Sequence, residues 1–442
     1  MQLYGSMKIN DENNLEIAGV DSLKLIEKYG TPLLVFDESE IRNNIKECRE
    51  GLNSYSGSSQ ILYASKAFAN RTLYRILLDE NINLDVVSGG ELYTALSADF
   101  PTDKIFFHGN NKLPSEIKMG LDNNIAGFFI DNVQEAALLE KMAKKRNKKL
   151  RVFLRLKPGL TAHTHEFILT GNDDSKFGVS IKSGKAMSLV RKIINEYSHL
   201  ELTGIHAHIG SQIYEKKAFL KLIEIMTSFM KEVKDKTGYL LNDLDLGGGY
   251  GISQTEDDPD ISIKKLLEEM IVVIERECKR KNIPLPNLMI EPGRSIVGTA
   301  GTTLYKIGMI KEIEGIKKYI TIDGGMTDNI RPALYGSQYS AFLANRCNEK
   351  PSEVVTIAGK CCESGDILIR NLELPPAVTG DILAVPCTGA YTYALSSNYN
   401  GIPRPAIVMV SGGEDYLIKR RENYDELLKG DIIPEKYKGG LI

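Results

Sequence analysis

The chain carries almost no net charge: 55 Lys and Arg stand against 58 Asp and Glu, a formal balance of −3 at neutral pH. No Lys/Arg cluster is interleaved with aromatics, so the sequence offers no basic face for a phosphate backbone, and nucleic acid is not an expected partner. Long apolar runs are missing too. None reaches the roughly 18 residues that a membrane-crossing helix needs, and the first ten residues lack the basic-then-apolar order of a secretory signal. No membrane partner is expected, and the sequence reads as cytoplasmic. The six cysteines are Cys48, Cys278, Cys347, Cys361, Cys362 and Cys387. They form no CxxC pair and have no second Cys or His at zinc-finger spacing, so they read as reduced thiols and no metal is expected.

What is present is a 442-residue chain, 42% hydrophobic and 26% charged. That is soluble globular composition, and at roughly 100–200 residues per domain, or about 250 for one α/β barrel, it predicts two domains with large cores. A small stapled scaffold is ruled out.

From about residue 60 to 300, short β-branched and apolar runs alternate with segments of helical period. The strand candidates are 61–65, 84–87, 104–107, 127–130, 151–156, 202–207, 243–246 and 288–290. Between them lie helical segments at 71–79, 91–98, 115–121, 133–144, 185–197, 217–234 and 263–280. Eight such repeats fit a (β/α)8 TIM-type barrel better than a doubly wound sheet, which usually has fewer strands. After Gly298 the strand-like runs 303–313, 318–322, 354–358, 381–385, 406–410 and 416–420 follow without long helices between them, and predict an antiparallel β-domain. The fold class is thus α/β plus all-β, with 41–300 as the barrel and 301–442 as the second domain. Residues 1–40, with a helix near 22–29 and a strand at 32–36, are assigned to the β-domain.

In barrels of this kind the chemistry sits on the loops after the C-terminal ends of the strands. Here those loops carry Lys66; Ser88-Gly89-Gly90-Glu91; His108-Gly109-Asn110-Asn111; His208-Ile209-Gly210-Ser211; Gly247-Gly248-Gly249-Tyr250-Gly251; and Glu291-Pro292-Gly293-Arg294. All converge on one rim. Lys66 lies inside an apolar run, where an amine tends to lose its proton and become a nucleophile able to form a Schiff base. Glycines between a strand and a helix expose backbone N–H groups at a helix N-terminus, which suits a phosphate, and Arg294 could add a charge-assisted bond. Phosphate and Schiff-base lysine on one rim suggest pyridoxal 5'-phosphate. Glu291 ends the apolar run 288–290; a carboxylate facing the pyridine nitrogen keeps that nitrogen protonated and makes the ring a strong electron sink. His208 can stack on a flat ring, and strand alternation points His206 the same way.

These residues resemble, in order and over nearly the whole chain, the fold type III pyridoxal-phosphate decarboxylases, and among them the diaminopimelate decarboxylases. Tyr63-Ala64-Ser65-Lys66-Ala67 is similar to the cofactor-lysine motif. Asp85-Val86-Val87-Ser88-Gly89-Gly90-Glu91-Leu92, His206-Ala207-His208-Ile209-Gly210-Ser211-Gln212, the 247–251 loop and Glu291-Pro292-Gly293-Arg294 match the other barrel motifs, and an ordered set is far more specific than any one of them. The resemblance implies that Lys66 carries the cofactor, His208 stacks on its ring and Glu291 pairs with the pyridine nitrogen, with Asp85 and Gly248 also at the cofactor. It implies that Ser211, Gly249, Gly293 and Arg294 hold the phosphate, with Tyr391 closing on it from the β-domain. Cys362-Glu363-Ser364-Gly365-Asp366 resembles the motif whose Cys donates a proton and whose acidic residue helps to bind substrate; Cys362 is chosen over Cys361 because it directly precedes Glu363. In the family this segment reaches the partner subunit's site, so the resemblance also implies a homodimer with shared active sites.

The substrate-side segments Thr164-His165-Glu166, Thr170-Gly171, Ser175-Lys176-Phe177-Gly178 and Arg331-Pro332-Ala333-Leu334-Tyr335-Gly336 resemble those of diaminopimelate decarboxylases. Diaminopimelate has a second amino-acid head: a guanidinium at Arg331 can grip its carboxylate, Glu363 can pair its ammonium, and Tyr335, Arg294 and Tyr391 complete the expected substrate set. The expected reaction is decarboxylation of meso-2,6-diaminopimelate to L-lysine, the last step of lysine biosynthesis. Ornithine, arginine, lysine or carboxynorspermidine is the alternative substrate, against which Arg331 and the 175–178 segment argue. A racemase is disfavoured by Glu291, and a regulatory protein that has lost its chemistry by the presence of Lys66, Glu291, Cys362 and the glycine loop.

Overall fold

A computed structural model describes residues 1–160 and 175–438. The chain divides into two compact units, one formed by Ser39–Ala300 with Gly389–Ala394 and the other by Met1–Glu38, Gly301–Thr388 and Leu395–Ile442.

The first unit is a closed barrel of eight parallel strands, Ser59–Ala64, Asn83–Val86, Ile105–Phe107, Gly127–Ile130, Leu150–Lys157, Leu200–His206, Asp243–Asp245 and Asn287–Ile290, the last pairing with the first. All eight predicted strands are there, each displaced by no more than two residues at either end. Alternation along the strands sends Leu62, Phe106, Phe129, Phe153 and Met289 into the barrel, where they form one buried cluster. Phe129 stacks on Phe153 with centroids 4.5 Å apart, and Phe106 meets both rings edge-on. Burying an apolar side chain of this size is worth about 1.5–3 kcal/mol, so this plug closes the lower barrel and leaves the strand ends above it for chemistry.

The outer helices have local reasons to start and stop where they do. Ser262 accepts the N–H of Lys265 and opens Ile263–Lys281; Asn282, in the left-handed region at φ 52°, closes it after a last turn carrying Lys279, Arg280 and Lys281. A side-chain cap at the start and cations at the end both complement the helix dipole.

The second unit is a mixed sheet rather than the wholly antiparallel one expected. Leu33–Asp37 pairs antiparallel with Gly301–Ile313 but parallel with Ala406–Ser411, and Lys317–Ile322 pairs parallel with Glu353–Ala358. Both parallel partners are brought in by long excursions, the first by the whole barrel and the second by a crossover holding the helix Arg331–Tyr335, so no hairpin forces the antiparallel sense. Residues on alternate sides of these strands feed two cores: Val35, Leu304, Ala384 and Val408 face one, and Tyr305, Ile307, Leu383 and Val385 the other. The strand Ile367–Leu374 was not expected, because Arg370 and Asn371 break its alternation and Asn371 takes a left-handed φ of 54°. Among the described residues no helix is long and apolar enough to cross a membrane.

Candidate active site

Above the aromatic plug, the ends of the barrel strands crowd buried charge around Glu291. This carboxylate follows the strand Asn287–Ile290 and its two oxygens meet two imidazoles: Oε1 lies 2.7 Å from His108 Nε2 and Oε2 lies 3.3 Å from His206 Nε2. Burial pushes the Glu291 pKa up, but His108 and His206 outweigh it and hold the group well below the usual carboxylate range. Its carboxylate neighbours go the other way. Burial lifts Asp85 to about 7, with Glu291 adding to it against the pull of His108, and burial together with Glu291 lifts Asp245 well above its ordinary value. Of the three acids Glu291 is therefore the one held ionised, while Asp85 and Asp245 are pushed toward their protonated forms.

Neither imidazole takes a proton easily, since burial lowers both His108 and His206. Each Nε2 lies against a different oxygen of Glu291, although neither contact is aligned as a hydrogen bond. The three side chains also bring one ligand atom each within 4.8 Å of one another. Two ligands of one tetrahedral zinc would stand about 3.3 Å apart at normal bond lengths, so the 2.7 Å pair is too close for an ion's coordination shell.

Lys66 lies in the short 3-10 turn Ser65–Ala67 at the end of the first strand. Its neighbours Ser65 and Ala67 are buried, yet Lys66 itself is exposed, which corrects the expectation that the apolar run would enclose it: the turn packs its flanks into the barrel and leaves the amine on the rim. Its charge acts on Asp85, Glu91, His206 and His208, so the lysine and the acid–histidine cluster share one site.

His208 and His206 separate in role. His206, still in its strand, faces inward to Glu291, whereas His208, beyond the strand end, accepts the backbone N–H of Gly248 on Nδ1 at 3.2 Å. Burial first, then Lys66 and Arg155, keep His208 well below its ordinary pKa and therefore neutral. The glycine loop is not at a helix N-terminus as expected: Gly247–Gly251 runs into an irregular stretch, and the next helix begins only at Ile263. The loop is instead held by close backbone approach. A Cβ on Gly248 would stand 2.0 Å from the Glu291 carbonyl oxygen and one on Gly249 2.1 Å from the Gly210 carbonyl oxygen, so no side chain fits at either position.

Arg294 opens a short helix capped by Gly293 and reaches Ser211 Oγ at 3.4 Å. Its guanidinium lies 4.8 Å from the centroid of the Tyr391 ring. Tyr391 groups with the barrel unit rather than the β-domain to which sequence order assigned it, because its N–H donates to the Ala67 carbonyl at 2.8 Å and the neighbouring Tyr393 packs edge-on against Phe68. It pays for this with a left-handed φ of 61°.

Sequence reasoning passed over Arg155 and Asp245, and its site set left out His108. The signal for Arg155 was present: it is a charged residue set between Leu154 and Leu156 near the C-terminal end of the strand Leu150–Lys157. Its Nε is 3.8 Å from Asp131 Oδ1, and its guanidinium lies over the ring of Phe177 at 4.4 Å. Asp131 in turn accepts the N–H of Gly178, so the Ser175–Lys176–Phe177–Gly178 segment is tied to the rim. Thr164, His165, Glu166, Thr170 and Gly171 lie outside the described residues.

The remaining candidates belong to the second unit. Arg331 is buried, donates to Ser337 Oγ at 3.1 Å and lies 5.2 Å from the ring centroid of Tyr335. Cys362 is exposed, with its N–H on Asn400 Oδ1, while burial and Asp366 raise the half-buried Cys361 thiol to about 11. Glu363 is exposed and Asp366 is not: the Asp366 carboxylate accepts the N–H groups of Met326 at 2.7 Å and Cys361 at 2.8 Å and holds this loop in shape.

An ionised carboxylate at the barrel axis, a lysine on the rim and a glycine cradle beside an arginine are the donor set a pyridoxal phosphate needs, so the residues present fit that group. Residues 38–298 match the family model described as pyridoxal-dependent decarboxylase, pyridoxal binding domain. The chain is 45% identical over 432 residues to diaminopimelate decarboxylase of Bacillus subtilis, covering 98% of each, and 43% identical to that of Staphylococcus aureus, covering 96% of this chain and 99% of the relative. The crystal structure of diaminopimelate decarboxylase from M. jannaschii in complex with L-lysine superposes with a TM-score of 0.92 at 37% identity, covering 99% of this chain and 100% of that one. The chain belongs to the pyridoxal-dependent decarboxylases and, among them, to the diaminopimelate decarboxylase family.

Proposed function

We propose that the protein is a pyridoxal 5'-phosphate-dependent lyase that decarboxylates meso-2,6-diaminopimelate to L-lysine and carbon dioxide. The single observation that carries this reading at the site is the ionised Glu291, with an imidazole Nε2 against each of its oxygens, on the rim that holds Lys66. When bound, the cofactor supplies a sink for the electron pair left as carbon dioxide departs. In this reading Lys66 anchors it, His208 lies against its ring and Glu291 faces its nitrogen, with Asp85 and Gly248 close by. Ser211, Gly249, Gly293, Arg294 and Tyr391 hold its phosphate; Arg294 and Tyr391 also bear on the substrate.

At the substrate's far end, Arg331 binds the distal carboxylate beside Tyr335, and Glu363 takes the distal ammonium. That pair is what separates this substrate from ornithine or lysine, whose distal amine carries no carboxylate. Cys362 Sγ–H delivers the proton to the carbon that lost its carboxylate. The exposure of Cys362, against the half-burial of Cys361, supports this choice. The same reading makes the protein a cytoplasmic homodimer whose sites are shared between subunits.

The test is to incubate purified protein and pyridoxal phosphate with meso-diaminopimelate, ornithine, arginine or lysine in separate reactions, measuring carbon dioxide and the amine product. Lysine formed from diaminopimelate alone is the expected result. Turnover of a simple basic amino acid would overturn the substrate assignment.

A further inference from the structure

Glu291 reaches its position as a bare side chain with several torsions, in a barrel whose interior resists isolated charge. What fixes it is a column of rings. Phe153 stacks on Phe129 at 4.5 Å, Phe129 stacks on His108 at 3.5 Å and 20°, and His206 stands edge-on to both Phe129 and His108, at 5.2 and 4.9 Å. The two imidazoles are thus set nearly at right angles, and each addresses a different oxygen of the same carboxylate.

We infer that His108 and His206 are positioning residues for the cofactor: with one Nε2 set against each oxygen, they hold Glu291 in one orientation and make it a weaker base than the pyridine nitrogen it faces. The inference rests on the reading that Glu291 pairs with that nitrogen. Its chemistry concerns one proton between two bases. In the arrangement carboxylate–pyridinium the proton sits on the ring, which becomes an effective electron sink; in the arrangement carboxylic acid–pyridine the sink is lost. A low-dielectric interior favours the second, uncharged arrangement. Two polar imidazole edges turned to the carboxylate reverse that preference, because dipoles facing the charged form stabilise it. A carboxylate oxygen has lone pairs for more than one donor, so the imidazoles leave room for the ring N–H. Neutral imidazoles suit this task better than lysine or arginine would, since they lower the basicity of Glu291 without cancelling its charge. The low proton affinity that burial gives both rings agrees with this.

The test places 15N-labelled pyridoxal phosphate in the full-length holoenzyme and reads the chemical shift of its ring nitrogen in wild type, His108→Leu, His206→Leu, His108→Gln, His206→Gln and Glu291→Gln. Wild type is expected to show a protonated ring. Either Leu variant is expected to move the signal toward unprotonated pyridine, a change of about tenfold in the ratio of the two forms, while the Gln variants, which keep a polar N–H group, stay close to wild type. If a Leu variant does not fold, Asn at the same position, polar but one carbon too short to reach Glu291, takes its place with the same expectation. Leu or Asn variants whose ring nitrogen stays as protonated as in wild type, while Glu291→Gln loses that proton, would overturn the inference and leave the reading of Glu291 standing. A ring still protonated in Glu291→Gln would overturn both. Gln variants as unprotonated as the Leu ones would also overturn the inference, since a polar group alone would then not suffice.

Discussion

A Cβ placed on Gly248 would stand 2.0 Å from the carbonyl oxygen of Glu291, so the glycine loop and the loop bearing the central carboxylate are in backbone contact. Gly248 also donates its N–H to His208 Nδ1. Gly248→Ala must therefore push the two loops apart, displacing Glu291 and His208 together. Overpacking of this kind costs about 1–3 kcal/mol. The expected result is a matching drop in the urea unfolding free energy together with loss of cofactor absorbance from the dialysed protein. Retention of the cofactor at wild-type occupancy would show that the loops have slack that the geometry denies.

Lys66 is exposed on a turn whose neighbours carry the packing. Lys66→Ala should therefore leave the fold untouched, with a melting temperature within a few degrees of the cofactor-free wild type, while the visible absorbance of the bound cofactor disappears and kcat falls by about a thousandfold or more. Normal turnover by this variant would sink the proposed chemistry.

Lys112, whose amine is fully buried, pairs with Glu135 and donates to the carbonyls of Gly109 at 2.8 Å and Phe129 at 2.6 Å. It thereby ties the loop after His108 to the strand carrying Phe129. Removing one partner of a buried pair leaves the other charge stranded, at about 3–5 kcal/mol. Lys112→Met is expected to lose that much in chemical denaturation, and Lys112→Met with Glu135→Leu to recover most of it. An additive double variant would show that the two charges do not compensate one another.

Much of this architecture is legible in the sequence, because the signals that make it are local. Most barrel strands are short, largely apolar runs, and in the sequence Glu291, His208 and Lys66 each follow one directly. What was not legible depends on contacts between distant segments. Nothing near residue 33 says that Leu33–Asp37 will lie parallel to Ala406–Ser411, and nothing near Gly247 says that the loop will be held by Gly210 and Glu291 instead of opening a helix. His108 looks like one more rim residue until the barrel closes and brings it to Glu291. Asp366 reads as a solvent-facing acid in its motif, yet the fold turns it onto two backbone N–H groups.

Asp328, buried against the hydroxyl of Tyr305, gives a pH dependence with a definite sign. Burial raises its pKa to about 7, against the pull of Tyr305 and the Gly325 N–H. Between about pH 4 and 7 the unfolded chain has released this proton and the folded one has kept it, so the folded state binds more protons and stability falls as pH rises. Asp328→Asn removes the titration. Its stability relative to wild type should improve by about 1 kcal/mol for each pH unit across that window, read from urea midpoints at pH 4.5, 5.5 and 6.5. A constant difference would mean that the group stays ionised in the fold.

The vicinal thiols should differ sharply in reactivity. Cys361 is half-buried, and burial first, then Asp366, raise it to about 11, which keeps its thiolate below roughly 1% at pH 8.5. Burial likewise raises Cys48 to about 12 and Cys278 and Cys347 to about 11. Cys362 is exposed on the same loop. Iodoacetamide at pH 8.5 should therefore label Cys362 first, as read by mass spectrometry of the digested holoenzyme, and activity should fall in step with that label. L-lysine, as product, should slow both if Cys362 faces the substrate. Cys361→Ser should keep its activity and lose it to iodoacetamide at the wild-type rate, whereas Cys362→Ser should begin with kcat reduced about a hundredfold or more, since the hydroxyl that replaces the thiol gives up its proton far less readily. Labelling at Cys361 that tracks the loss of activity would transfer the proton-donor role from Cys362 to its neighbour.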